Sequence, residues 1–406
     1  MAALGCGVLV LGAAARVQAQ GAVGTGPLTA PLADAEPTSG VLRAGPVRLA
    51  PGITVSQMGT DSNVFNEAVD PKDDFVIAAI PDVSFFTRLR FVKVSAYGGA
   101  DLNYFRTYTG ERSAGYIGRA RVDLLLGRLF PFVGYGQNRR RERPNSEIDT
   151  RANQVQTEKS AGLGFELSPT SAIYVSAIRS TTEFQNAVQS DVDLGQSLNR
   201  TSEDFNGGVR TALTPLSTLT LRGGLKRDLF VAVPERNADA RYFDASFNFV
   251  PQAVINGTAT VGYTDFQPTD PGVKPYRGLT TSVALTYPLL EIGRLHFVAL
   301  RSVEYSFDAA EAYYIQMSYM LNYTQRLVGD VDANVQGSRA FFDYGSTATT
   351  PERRDQLDLL LGGVGYNLRN RTRVALNYEY SRRRSPALPD RNYERRRVFL
   401  SWAYAF

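Results

Sequence analysis

Read backwards from the C-terminus, every second residue is large and apolar: Phe406, Tyr404, Trp402, Leu400 and Val398. The residues between them are Ala405, Ala403, Ser401, Phe399 and Arg397, small or polar apart from Phe399. Successive side chains of a β-strand point to opposite faces, so this stretch is a strand with one apolar face. A soluble sheet resting on a core gives the same alternation. So does the closing strand of a transmembrane barrel, whose apolar face meets lipid. Repetition along the chain decides between them.

The pattern recurs from about residue 46 onward. Val92, Val94, Ala96, Gly98, Ala100, Leu102 and Tyr104 oppose Lys93, Ser95, Tyr97, Asp101 and Asn103. Leu219, Leu221 and Leu225 oppose Thr220, Arg222 and Lys226, and Phe243, Phe247 and Phe249 oppose Asp244, Ser246 and Asn248. The clearest case sets Tyr313, Ile315, Met317, Tyr319, Leu321 and Tyr323 against Gln316, Ser318 and Asn322. No soluble core absorbs so many one-sided strands without helices. A closed barrel does, with lipid on one side and water on the other.

Tight turns are expected near 87–90, 126–131, 168–171, 214–217, 251–254, 290–294, 326–330 and 368–371. Longer polar loops are expected near 58–72, 105–111, 138–150, 185–199, 229–237, 266–276, 307–311, 344–352 and 383–391. With a first strand near 46–57, this predicts an all-β, single antiparallel transmembrane barrel of about eighteen strands over 46–406. Weak segments at 127–140 and 352–368 leave sixteen open. A barrel of either size has room for an aqueous channel. Tight turns mark the periplasmic side and long loops the outside.

Lys and Arg total 44 against 40 Asp and Glu, a net charge of +4, so nucleic acid is not an expected partner. The one cysteine, Cys6, falls in a stretch that reads as a signal peptide, residues 1–19. Its apolar run is Leu4–Ala15 and its cleavage site is Val17-Gln18-Ala19. No positively charged n-region precedes that run, which puts the expected translation start upstream of Met1. Residues 20–45, rich in Ala, Gly, Pro and Thr, read as a flexible periplasmic segment. After cleavage no thiol remains, which excludes disulfides and cysteine chemistry.

The C-terminal alternation ending on Trp402, Tyr404 and Phe406 resembles the signature of bacterial outer-membrane barrels. In that family it is read by the barrel-assembly machinery, which the resemblance implies as a partner. Thr60-Asp61-Ser62-Asn63-Val64-Phe65, preceded by Gly52-Ile53-Thr54-Val55, resembles the N-terminal signature of the bacterial family putative β-barrel porin 2. The resemblance, from about residue 47 to Phe406, implies a bacterial outer-membrane barrel, with some relatives associated with exopolysaccharide production. It implies no catalytic residue. Asp61, Ser62 and Asn63 read either as a binding site at the rim or as an Asx-type turn that stops the strand.

Catalysis finds no support. His296 is the only histidine, and no phosphate loop, metal motif or nucleophile elbow accompanies it, so neither cofactor nor metal is expected. Three arginine clusters fall near outer strand ends: Arg139, Arg140, Arg141 with Arg143; Arg382, Arg383, Arg384; and Arg395, Arg396, Arg397. They read as a cationic rim for lipopolysaccharide phosphates or anionic solutes, or as a solvated rim balanced by acids such as Glu142 and Glu394. Alternation turns Lys93, Asp101, Arg119, Arg121, Asp123, Arg222, Lys226, Arg373 and Glu379 inward. These are selectivity candidates if they flank a constriction, and merely solvated if they do not. Loops 138–150 and 185–199 are the candidates to fold inward.

The expected function is porin-like passage of small hydrophilic solutes, with outer-membrane lipid and lipopolysaccharide as partners and homo-oligomerisation left open. Two alternatives stand: an accessory barrel for exopolysaccharide export, and a non-transporting structural barrel.

Overall fold

The structure is a computed structural model that describes residues 42–185, 187–289, 292–308, 311–345, 352–368 and 372–405. The signal peptide, Cys6, most of the 20–45 segment, Phe406 and parts of the turns at 290–294 and 368–371 lie outside the described residues.

Eighteen long strands follow one another, each antiparallel to the next. They are β1 (Val47–Asp61), β2 (Asp74–Leu89), β3 (Val92–Phe105), β4 (Ser113–Leu124), β5 (Leu129–Glu142) and β6 (Ala152–Ser168). Next come β7 (Ser171–Gln185), β8 (Arg200–Thr214), β9 (Ser217–Phe230), β10 (Ala238–Phe249), β11 (Asn256–Pro268) and β12 (Tyr276–Leu289). The ring finishes with β13 (Gly293–Tyr305), β14 (Tyr313–Arg326), β15 (Val331–Tyr344), β16 (Arg353–Leu368), β17 (Thr372–Arg384) and β18 (Tyr393–Ala405). β1 pairs with both β2 and β18, so the sheet closes on itself and leaves no edge. The weak segments at 127–140 and 352–368 are full strands, β5 and β16, which settles the number at eighteen.

Two boundaries differ from those read in the sequence. The first strand runs to Asp61 rather than 57, because the chain bulges around Ser56 and then resumes pairing. The extra residue reverses the alternation: Thr54 is buried on one side of the bulge, and Gln57, Gly59 and Asp61 on the other. Before β1, Leu42–Ala44 pairs back onto Val47–Leu49, a three-residue strand inside the stretch read as flexible.

Burial is inverted relative to a soluble protein. Leu225, Phe243 and Val335 are each 57% exposed, whereas their inward neighbours Asp244 and Gln336 are each 7% exposed. A belt of exposed large apolar side chains around a polar interior needs lipid as its partner. No described helix is long and apolar enough to cross a membrane, so the strands make the crossing. The chain is therefore a transmembrane β-barrel.

The inner wall carries its own packing device. Phe130 and Phe132 on β5 lie directly across from Gly164 and Gly162 on β6. A Cβ at either glycine would collide with the facing ring. Phe399, the exception in the last strand, is explained the same way: it faces Gly59 across the β1–β18 seam and is 2% exposed. A ring laid over a glycine stays flat against the wall.

Candidate constriction of the lumen

The inward charges named from alternation all face the lumen, but not as opposed rows. Arg121 pairs with Asp123 at 2.8 Å on its own strand, and Asp101 of β3 with Arg140 of β5 at 3.1 Å. Arg222 holds Asp244 at 2.6 Å, Lys226 holds Asp228 at 3.0 Å, and Arg373 holds Asp332 at 2.5 Å. Glu379 accepts from Arg397, which also donates to Gln57 at 3.0 Å. The Arg119 guanidinium stands 5.0 Å from the Tyr97 ring centroid. Lys93 faces inward opposite Asp123 in the β3–β4 register. Side chains two positions apart on a strand, or on near strands, meet before groups across a wide lumen can.

The narrowing comes from loops. The segment after β5, residues 143–151, leaves the wall and crosses to the far side of the ring. Its centre is Glu147, which is fully buried. Its carboxylate accepts from the Ser306 hydroxyl at 2.7 Å, the Phe307 amide at 3.1 Å and the Tyr344 hydroxyl at 3.0 Å. Its backbone carbonyl accepts from Arg383 at 3.4 Å and from Arg391. These partners lie on β15, β17 and neighbouring loops, about opposite β5 in an eighteen-strand ring, so the loop is a strut across the mouth. Burial pushes the Glu147 carboxyl above its usual range, against the opposing pull of its donors and Arg391.

Other loops knit onto the strut. Arg143 donates to the Asp149 carbonyl at 2.7 Å and the Val64 carbonyl at 2.6 Å. Burial, with Arg395 and Arg151 nearby, pushes its guanidinium down to about 10. Ile148 packs with Phe184, Ala187, Leu194, Leu198 and Phe307 in a small apolar core made almost wholly of loop residues. Leu194 and Leu198 belong to a one-turn helix capped by the Asp193 side chain, which accepts from the Gly195 amide at 2.8 Å. Arg236 ties in the β9–β10 loop, donating to the carbonyls of Ser197 at 3.1 Å and Ala312 at 3.0 Å. Both candidate loops, 138–150 and 185–199, therefore fold inward. Their partners come from loops distant in sequence, and no local pattern in the chain marks them.

Beneath the strut lies a chamber of about 170 Å³ against β14–β18. Leu357, Leu359 and Leu361, at successive inward positions of β16, form its apolar side with Met320 and Ile148. Gln316, Gln336, Ser381 and the Glu379–Arg397 pair line the rest.

The rim arginines divide by face. Arg139 points outward and is exposed. Arg140 points inward, and Arg141 pairs with Glu111 at 2.8 Å. Arg382 faces outward beside Glu394 at 3.5 Å, and Arg384 is exposed. Arg383 faces inward with a fully buried side chain, held by Asp355 at 2.9 Å. Arg383 thus sits inside the loop cap because neighbours in a strand take opposite faces, and Arg143, just past the end of β5, enters the cap with the strut.

Asp61, Ser62 and Asn63 fasten the first strand to the last. Asp61 accepts from the Asn63 amide at 3.1 Å, the Asx turn that ends β1, and receives Arg395 of β18. The Ser62 hydroxyl accepts from the Arg396 amide at 2.9 Å, and Asn63 donates to the Glu394 carbonyl at 3.1 Å. Trp402 and Tyr404 point outward on β18 near the short-turn end of the barrel. His296 faces the lumen near that same end, where its Nδ1 lies 3.0 Å from the Thr286 hydroxyl. Among the described residues no group of three His, Cys, Asp or Glu side chains is placed to hold a metal ion.

Residues 219–406 match the family model described as Putative beta-barrel porin 2. The N-terminal signature around Asp61 lies outside that stretch. No curated protein matches the chain. Among solved structures the chain is similar to OccK2 (OpdF) of Pseudomonas aeruginosa in complex with glucuronate, at 11% identity and a TM-score of 0.52, over 88% of this chain and 98% of that one. It is also similar to a BenF-like porin from Pseudomonas fluorescens Pf-5, at 12% identity and a TM-score of 0.50, over 89% of this chain and 99% of that one. At such identities the likeness is one of fold.

Proposed function

We propose that this closed β-barrel, whose residues 219–406 match the putative beta-barrel porin 2 family model, is an outer-membrane channel for passive diffusion of small hydrophilic solutes. The observation that carries this reading is the strut: a polar, charged lumen in a closed eighteen-strand ring, narrowed by a loop anchored on the opposite wall. A strut with fixed anchors admits small molecules and disfavours a thick polymer, which sets this reading ahead of polysaccharide export. The similar OccK2 structure holds glucuronate, a small hydrophilic acid. The ion pairs along the wall offer polar partners to a solute losing its water, while the Leu357–Leu361 face lets it slide.

Single-channel recording of the refolded protein in a planar bilayer tests this. Stable open steps, with a reversal potential in a salt gradient reporting ion preference, are the expected result. Absence of conductance from a barrel shown to be folded by circular dichroism and heat-modifiable gel mobility would overturn it.

A further inference from the structure

The outer wall carries a row of charges that the lumen does not use. Lys159, Arg179, Glu203, Arg227, Arg241 and Arg277 lie on the lipid-facing side of β6 to β12, toward the long loops, interleaved with Asp239 and Asp265. The register makes neighbours of them around the barrel: Lys159 faces Arg179, Arg179 faces Glu203, Glu203 faces Arg227 and Arg227 faces Asp239. Arg241 faces Asp265, which faces Arg277. Most contacts are complementary, with Arg227–Asp239 at 2.9 Å, Arg277–Asp265 at 3.1 Å and Arg179–Glu203 at 3.5 Å.

Two features make this more than a solvated fringe. First, Lys159 and Arg179 are direct cross-strand partners of like charge, and the acid beside them, Glu203, lies on the far side of Arg179 and also faces Arg227, so this end of the row keeps a net positive charge. Second, a groove of about 690 Å³ runs along the row from Lys159 to Arg241, its outward charges four cations against the acids Glu203 and Asp239, with a floor that includes Phe205 and Leu225, which are 60% and 57% exposed. The row has a direction as well. Towards the periplasmic end of the same strands the outward positions are Leu167, Leu213, Phe249 and Tyr287, with no charge among them.

We propose that this groove binds the phosphorylated headgroup of lipid A in the outer leaflet, with acyl chains lying on Phe205 and Leu225. One phosphate lies between Lys159 and Arg179. The second lies by Arg227 and Arg241, on the far side of Glu203. Neighbouring strands are about 4.8 Å apart, so the two cationic points are separated by several strands. A headgroup with two separated phosphates fills both; a glycerophospholipid, with one, does not. The site depends on the membrane placement of the barrel and is independent of whether the lumen conducts.

Native mass spectrometry of the full refolded barrel in detergent tests the site, with bisphosphorylated lipid A, its dephosphorylated form and phosphatidylglycerol as probes. Wild type is expected to retain bisphosphorylated lipid A over the other two by on the order of tenfold. K159Q/R179Q, checked for folding by heat-modifiable mobility, is expected to lose that preference. Equal retention of the three lipids by wild type would overturn the proposal without reference to any variant. So would an undiminished preference in folded K159Q/R179Q.

Discussion

Asp61 and Arg395, 334 residues apart, clasp the first strand to the last at the loop end of the barrel. Asp61 is 1% exposed and the Arg395 side chain 12%. The ring is closed by the seam between its first and last strands, and in this seam the ladder is interrupted by the bulge at Ser56. Side-chain bonds above the bulge compensate for lost backbone pairing.

Asp61→Ala is therefore expected to weaken the seam. Removing one partner of a buried charge pair costs about 3–5 kcal/mol, because the other is left uncompensated. The temperature at which the folded band converts to the unfolded band on a gel should fall, and D61A/R395M should recover part of the loss. An unchanged conversion temperature in D61A would show that the backbone ladder alone holds the seam.

The strut makes a second prediction. Replacing 144–149 by a short Gly-Ser link removes the Glu147 carboxylate from Ser306, Phe307 and Tyr344. The unitary conductance should rise severalfold in bilayer recordings, while circular dichroism keeps the strand signal. E147Q, which retains the shape but replaces the acceptor carboxylate, should give noisier openings at nearly normal size. Equal conductance in the loop replacement and wild type would place the constriction elsewhere.

Most of the barrel was legible because strand alternation is local: each of Tyr313 to Tyr323 declares its face by parity alone. The bulge at Ser56 was not, since one extra residue changes parity without any change of composition. The inward candidates were legible as inward, yet their pairing was not. Arg397 and Glu379 meet only through the register of β17 and β18. The strut was least legible of all. Loop 138–150 was one of two candidates to fold inward, but Glu147 finds Ser306 and Tyr344 through closure of the whole ring.

The two faces of β14 should answer differently to the same substitution. Leu321 is 48% exposed on the lipid side. An arginine there should cost about 2–4 kcal/mol if the residue lies near the bilayer midplane, read as a lower urea midpoint in lipid vesicles. Ser318 lines the chamber. S318R should leave that midpoint nearly unchanged and shift ion preference toward anions. A lower midpoint for S318R than for L321R would reverse the assignment of faces.

Glu311 gives the loop cap a pH dependence. It lies beside Arg353 at 3.0 Å, yet burial, with Asp308, Glu147 and Asp355 nearby, pushes its carboxyl up to about 7. The folded state thus holds the proton more tightly than the unfolded chain, whose glutamate titrates near 4.3. The resulting stability is fully present below about 4.3 and is lost as pH rises through about 7. Current noise from loop movement should therefore increase between pH 5 and pH 8, a range set by the two titration points. Glu311→Gln, which stays neutral across that range, should flatten most of the change. A profile in E311Q that matches wild type would assign the pH response to other groups in the cap.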